Sequence, residues 1–227
     1  MDTLDTTAPF RGLLQDASIS AALVDRILRS CSVRDIPART HLQHVGDDPG
    51  SMWFLAEGAL SVEMAPGSRN PQMSYLVLPP VWVGEGSIIA SAPRLIGLST
   101  TRRSVLLNLT ARGFLGIARD EPLVWRWVAK IQKQNFERAM GLADALMVRS
   151  SEARVEAVLR QLGGHLGHDA NAPRVLDITQ AQLSAIANVS RSVLSPVLKK
   201  LESKGTIKLG HRTITITDPT ALRRPSP

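Results

Sequence analysis

Ile178-Thr179-Gln180-Ala181-Gln182-Leu183-Ser184-Ala185-Ile186-Ala187-Asn188-Val189-Ser190-Arg191-Ser192-Val193-Leu194-Ser195 carries two helix starts joined by a short turn. Thr179 is placed to cap the first helix, with Gln182 three residues later completing a capping box. Asn188 is one of the few non-glycine residues that tolerates the left-handed conformation a tight helix–helix turn demands. Ser190 is a good N-cap for a second helix running to about Glu202. Leu183, Ala187, Val189, Leu194 and Val197 have the spacing that packs two helices around such a turn, which is the helix-turn-helix pattern. Gly205 ends the second helix. Thr206-Ile207-Lys208-Leu209 and Thr213-Ile214-Thr215-Ile216-Thr217 flank Gly210-His211-Arg212, so a small hairpin with a basic tip, a wing, is expected next.

The chemistry of this module suits duplex DNA. The N-terminal end of the second helix would enter the major groove, with its early side chains at base edges. Arg191 can pair bidentately with O6 and N7 of guanine. Ser190, Ser192 and Ser195 can meet phosphates or bases. Lys199, Lys200, His211 and Arg212 would bind phosphate, which positions a domain without reading sequence. Thr179 and Gln180, at the start of the first helix, complete the expected DNA-contacting set. The alternative is a small three-helix protein-interaction module. Charge weighs against it. Residues 149–227 carry twelve Lys and Arg against six Asp and Glu, a net +6 out of +7 for the chain, leaving +1 for residues 1–148. A basic patch confined to one end is the electrostatic footprint of nucleic-acid binding.

Outward from the motif, residues 151–162 form an amphipathic helix with Val155, Val158, Leu159 and Leu162 on one face, stopped by Gly163-Gly164. Residues 163–173 have the composition of a loop. A long helix is expected from about Pro122 to Val148, with the proline in its first turn. Its stripe is Val124, Val128, Ile131, Asn135, Arg138, Leu142 and Leu146. A helix of roughly 40 Å at 1.5 Å per residue is hard to bury within one chain. Pairing with a second copy is therefore expected, and the polar stripe members would set register. From Cys31 to about Phe114 short apolar runs are broken by Asp47-Asp48-Pro49-Gly50, Pro66-Gly67, Pro79-Pro80 and Ala92-Pro93, the texture of a β-sandwich or barrel. Met52–Leu55 and Ala59–Glu63 read as one hairpin around Glu57-Gly58. Ser74–Leu78 and Ser104–Leu109 read as further strands. A short helix over 18–30, capped by Ser18 or Ser20, leads the chain.

The fold class is therefore α+β: a β-roll at residues 1–120, a dimerisation helix at 121–149 and a winged helix-turn-helix at 150–227. Cys31 is the one cysteine, which excludes an intrachain disulfide framework and an iron–sulfur cluster held by this chain's own thiolates. Met1-Asp2-Thr3-Leu4-Asp5 lacks the apolar run of a secretory signal. No apolar run approaches the roughly 20 residues of a bilayer span. A cytoplasmic protein without membrane contact is expected.

From about residue 10 to residue 222 the sequence resembles the cyclic-AMP receptor protein and FNR family of regulators. Gly46-Asp47-Asp48-Pro49-Gly50-Ser51-Met52-Trp53-Phe54-Leu55 with Glu57-Gly58 looks like its first β-roll hairpin. Val83-Gly84-Glu85 looks like the start of its phosphate-binding cassette, and Val189-Ser190-Arg191-Ser192-Val193-Leu194-Ser195 like its recognition helix. The resemblance implies a cyclic-nucleotide-binding-like β-roll, a homodimer, RNA polymerase as a possible partner, and an effector that shifts an equilibrium between two forms. Gly84, Glu85 and Arg94 are the effector-binding residues it suggests. The departures are informative. Where cyclic-nucleotide binders continue with Arg-Ser/Thr-Ala, this chain has Pro93-Arg94-Leu95-Ile96-Gly97, and Leu95 cannot donate to phosphate. Ala139 and Met140 stand where the long helix of such binders carries hydroxyls. Arg94 could hold an anion or pair with Glu85. Haem would need His41, His44 or Cys31. Neither cyclic nucleotide nor haem is favoured, so no cofactor is expected, and the effector is another small molecule or none. Pro196 stands where relatives often have an arginine, and a kink or an irregular first turn is expected there.

The rival class is a cupin-type metalloenzyme. It needs clustered His and Glu ligands, whereas His41 and His44 should face opposite sides of a strand. No metal site and no catalytic residue are expected. A ligand-binding β-roll with degenerate DNA recognition is the other alternative.

Overall fold

A computed structural model describes residues 19–65, 72–164 and 173–223. The acidic start, Ser18 as an alternative cap, the Pro66-Gly67 turn and most of the 163–173 loop lie outside the described residues. The chain divides into two compact units, residues 1–72 with 77–136, and residues 73–76 with 137–227.

The first unit opens with α1 (Ala21–Arg29), capped by Ser20, whose Oγ accepts from the Leu23 amide, and burying Leu23, Val24 and Ile27. The strands are β1 (Ser32–Ile36), β2 (His41–Gln43), β3 (Ser51–Glu57), β4 (Leu60–Met64), β5 (Gln72–Val77), β6 (Val81–Val83), β7 (Gly97–Thr100) and β8 (Ser104–Thr110). Helices α2 (Glu85–Ala90), α3 (Ala111–Asp120) and α4 (Val124–Met147) complete this run. Two four-stranded sheets result, ordered β1-β8-β3-β6 and β2-β7-β4-β5.

The expected hairpin around Glu57-Gly58 is corrected by this topology. β3 pairs with β8 and β6, β4 pairs with β7, and the chain changes sheet at the corner. Gly58 makes the corner possible: its φ is +101°, and a Cβ there would lie 2.1 Å from Ser104 Oγ. Any other residue would meet both backbone strain and a clash.

Helix α3 was not foreseen. Thr110 ends β8 and caps α3 through a bond from the Gly113 amide. Its Phe114 and Ile117 join Phe54, Trp82 and Leu107 in the core. Pro122 precedes α4 instead of lying in its first turn. The stripe assigned to self-pairing is corrected in its first half. Val124, Val128 and Ile131 are buried in their own chain's core, with Trp127 edge-on to Trp82 at 5.4 Å. The large apolar side chains that α4 leaves exposed are Phe136 (60%), Met140 (51%) and Met147 (80%), with Trp125 at 38% and Leu146, a member of that stripe, at 37%. Trp125, Phe136, Met140 and Met147 occupy a face turned by about 120° from that stripe at 3.6 residues per turn.

The second unit contains α5 (Ser151–Gly163), β9 (Arg174–Leu176), α6 (Gln180–Ile186), α7 (Arg191–Ser203), β10 (Ile207–Gly210), β11 (Thr213–Ile216) and a 3-10 turn at Ala221–Arg223. Gly164 follows α5 as its C-cap, as the Gly pair implied. Val155, Leu159, Leu183, Leu194, Leu198 and Ile214 are fully buried. Each such side chain contributes about 1.5–3 kcal/mol through burial. β9 adds an unforeseen third strand to the expected hairpin, giving the order β10-β11-β9.

Candidate nucleic-acid interface

The capping box forms as the spacing required. Thr179 Oγ1 accepts from the Gln182 amide at 3.1 Å, and Gln182 Oε1 accepts from the Thr179 amide at 2.9 Å. The Thr179 hydroxyl also donates to Gln182 Oε1, so its capacity is spent locally. Gln180 beside it is exposed. Asn188 adopts φ +50°, the left-handed conformation of the turn. The Val189 amide donates to Ser184 O, and the Ser184 hydroxyl donates back to Val189 O. Ser190 caps α7 through the Val193 amide and shares a 2.8 Å hydroxyl contact with Ser192. Ser190, Arg191 and Ser192 are exposed at the start of α7, and Ser195 is half-buried.

Pro196 is exposed inside α7, which runs unbroken over Arg191–Ser203. The expected irregular first turn is absent: the Leu194 amide donates to Ser190 O at 2.9 Å. Proline removes a donor to Ser192 O, but Ser192 is exposed, so water can serve that carbonyl.

The cationic residues differ in their commitments. Lys199 is exposed. Lys200 is ion-paired with Glu152, which raises its ammonium pKa above the usual value. His211 and Arg212 sit exposed at the wing tip, where Arg212 takes φ +58°. Glu202 on α7 accepts from the Leu209 amide at 2.8 Å and ties the wing to the helix. Arg154, which sequence periodicity does not single out, donates to Ala187 O at 3.0 Å and to Asn188 O at 3.3 Å in the turn.

The suggested effector residues come together in the first unit. Gly84 has φ +89° and precedes α2, and Glu85 and Arg94 are both buried. Arg94 donates to Gly84 O at 3.1 Å and to Ser51 O at 2.6 Å. Burial lowers its pKa, with the charges of Asp47 and Glu85 opposing. Glu85 Oε1 accepts from Asn135 Nδ2 at 2.9 Å. Gln43 donates to Ile96 O and keeps its Oε1 buried without a partner, close to Gly84. Leu95 is 85% exposed. These residues do not fit a cyclic phosphate well. Arg94 is occupied by carbonyls, a hydroxyl donor is missing, and the buried Gln43 oxygen is an acceptor that would repel an anion.

The expectation that His41 and His44 face opposite sides is also corrected. β2 ends at Gln43 with a register shift, and the two rings lie 4.8 Å apart. Among the described residues no group of three or more His, Cys, Asp or Glu could hold a metal ion. No helix among them is long and apolar enough to cross a membrane.

A turn-joined helix pair, a three-stranded wing and a basic surface define a winged helix-turn-helix domain, here following a β-roll in the chain. Residues 153–225 match the Crp-like helix-turn-helix domain family. The chain is 24% identical to the cyclic AMP receptor protein of Thermus thermophilus, covering 88% of this chain and 90% of that one. It is 22% identical to the CRP-like cAMP-activated global transcriptional regulator of Mycobacterium tuberculosis, covering 94% and 95%. Its fold is similar to that of the c-di-GMP responsive global regulator CLP of Xanthomonas campestris, with TM-score 0.64 and 21% identity over 87% of this chain and 99% of that one. Residues 153–225 therefore carry a Crp-like helix-turn-helix domain, and over most of its length the chain is similar to regulators of the Crp/Fnr type.

Proposed function

We propose that the protein acts as a homodimer on a pseudo-palindromic operator in duplex DNA, tuned by an effector other than cyclic AMP or by none. The observation that carries this is the exposed start of α7, where Ser190, Arg191 and Ser192 stand clear of a fully packed domain. Arg191 reads guanine, while Gln180, Lys199, His211 and Arg212 bind phosphate. The domain roles follow the boundaries read from the sequence: a sensor at 1–120, a dimerisation helix at 121–149 and DNA binding at 150–227. Two recognition helices then sit roughly 34 Å apart on one face of the duplex. The family resemblance adds RNA polymerase as a partner. The role is regulatory, without catalysis.

The Thermus and Mycobacterium relatives are named for cyclic AMP. Here Leu95 and the carbonyl-bound Arg94 argue for a different effector or none. The test is a fluorescence-anisotropy titration of DNA from upstream of the protein's own gene, across salt, with and without cyclic AMP. Specific binding with a steep salt slope, unchanged by cyclic AMP, is expected. Arg191→Ala should cost about 1–3 kcal/mol on the specific site and little on random duplex. A shift in affinity with cyclic AMP would overturn the effector assignment, and equal affinity for random duplex would overturn the operator.

A further inference from the structure

The first turn of α5 holds a guanidinium with all its nitrogens engaged. Arg154 Nε donates to Ala187 O at 3.0 Å. Nη1 donates to Val148 O at 2.9 Å and to Arg149 O at 3.4 Å. Nη2 donates to Asn188 O and to Ser151 Oγ, both at 3.3 Å. The acceptors fall into two groups. One is the segment that leaves α4, residues 148–151. The other is the turn between α6 and α7, where Ala187 ends α6 and Asn188 takes its left-handed conformation. Carbonyls at a helix C-terminus lack intrahelical donors and carry the negative end of its dipole, so a cation suits them. One residue pair away, Glu152 holds Lys200 on α7. The start of α5 therefore grips both the turn and the recognition helix.

We infer that Arg154 is a positioning residue for DNA recognition, locking the helix-turn-helix turn onto the segment that leaves α4 and so fixing how the start of α7 is presented. This rests on the DNA-binding function proposed above. A basic residue in such a domain could instead act by touching phosphate. Arg154 differs from a phosphate ligand because it is half-buried and its donors are spent on the protein. Its planar fork, more than its charge, is what spans two groups of carbonyls. A lysine, with one nitrogen, cannot do the same.

Arg154→Lys and Arg154→Gln separate the two roles. The DNA is a duplex enriched by the wild-type protein from a randomised library, titrated by anisotropy across salt. Amide exchange of residues 184–190 is followed in the free protein by mass spectrometry. Both variants should bind the enriched duplex about tenfold more weakly, as loss of one or two charge-assisted hydrogen bonds implies. Random duplex should be bound as before, with the salt slope unchanged, and exchange over 184–190 should be faster. Wild-type affinity in Arg154→Lys, a salt slope smaller by about one in Arg154→Gln, or unchanged exchange would each overturn the proposal. Should the wild type enrich no sequence, the DNA-reading function fails instead. The exchange measurement needs no DNA and still decides whether Arg154 clamps the turn. Lysine keeps the charge and the long stem, so Arg154→Lys tests the clamp even if a shorter variant does not fold.

Discussion

Cys31 packs against the core of the first unit, and burial pushes its thiol from the ordinary 9.0 up to about 12. Thiolate is the reactive form, so this residue is chemically quiet in the native protein. At pH 8 its reaction with an aromatic disulfide reagent should be at least about a hundredfold slower than in denaturant, since each pKa unit is a tenfold change in thiolate. Equal rates in the two states would contradict the burial. The same shift has a stability consequence. The folded-state pKa lies above the unfolded one, so the contribution is fully present below about pH 9 and is lost as pH rises towards about 12. Arg94 belongs to the same scale. Its conflict between desolvation and two carboxylates is met by backbone carbonyls, a solution that residue types alone do not distinguish from an anion site or a partnership with Glu85.

Among the elements, α7 departs most from local preference, because Pro196 interrupts its bonding without ending it. Pro196→Ala and Pro196→Arg both restore a donor for Ser192 O. Each should stabilise the domain by about 1–3 kcal/mol, read as a higher urea midpoint. Only the arginine should also tighten binding to the palindrome usual for Crp/Fnr regulators, by adding a cation on the face of α7 that carries Ser192 and Lys199. A lower midpoint would mean that the fold depends on the proline; unchanged affinity would remove Pro196 from sequence selectivity. The elements of this domain were legible because their signals are local: the Thr179–Gln182 box, Asn188 at φ +50°, Ser190 as cap and Gly205 at φ +72° all lie within the segments they shape. The β-roll was legible only as texture. β3 finds β8 some fifty residues away, so proximity in sequence suggested a hairpin with β4 that does not form. β2, β6 and β9 have three residues each, too few to display a period. The Arg154 contacts join residues more than thirty apart and leave no mark in periodicity.

For the whole molecule, the decisive surface is the face of α4 that the chain leaves open. Its first half turns Val124, Trp127, Val128 and Ile131 into the core, while Phe136, Met140 and Met147 remain exposed along another face. Exposed large apolar residues in a row on one helix mark an association site more often than chance surface. A second copy of the same helix offers a self-complementary match, as two-fold symmetry requires. Phe136→Glu combined with Met140→Glu should convert a dimer in sedimentation velocity into a monomer of 24.6 kDa. Each chain should keep its fold, because neither side chain is part of the core. Val128→Ala should do the reverse, lowering stability by about 1–2 kcal/mol, read as a lower thermal midpoint, while leaving the dimer intact. The monomeric variant should also lose about 10²–10⁴-fold in operator affinity, because a half-site bound alone forgoes the effective concentration of a linked second one. A double-glutamate variant that still sediments as a dimer would return the seam to the Leu142 and Leu146 side of the helix. In that case Phe136 and Met140 would need a different partner to account for their exposure.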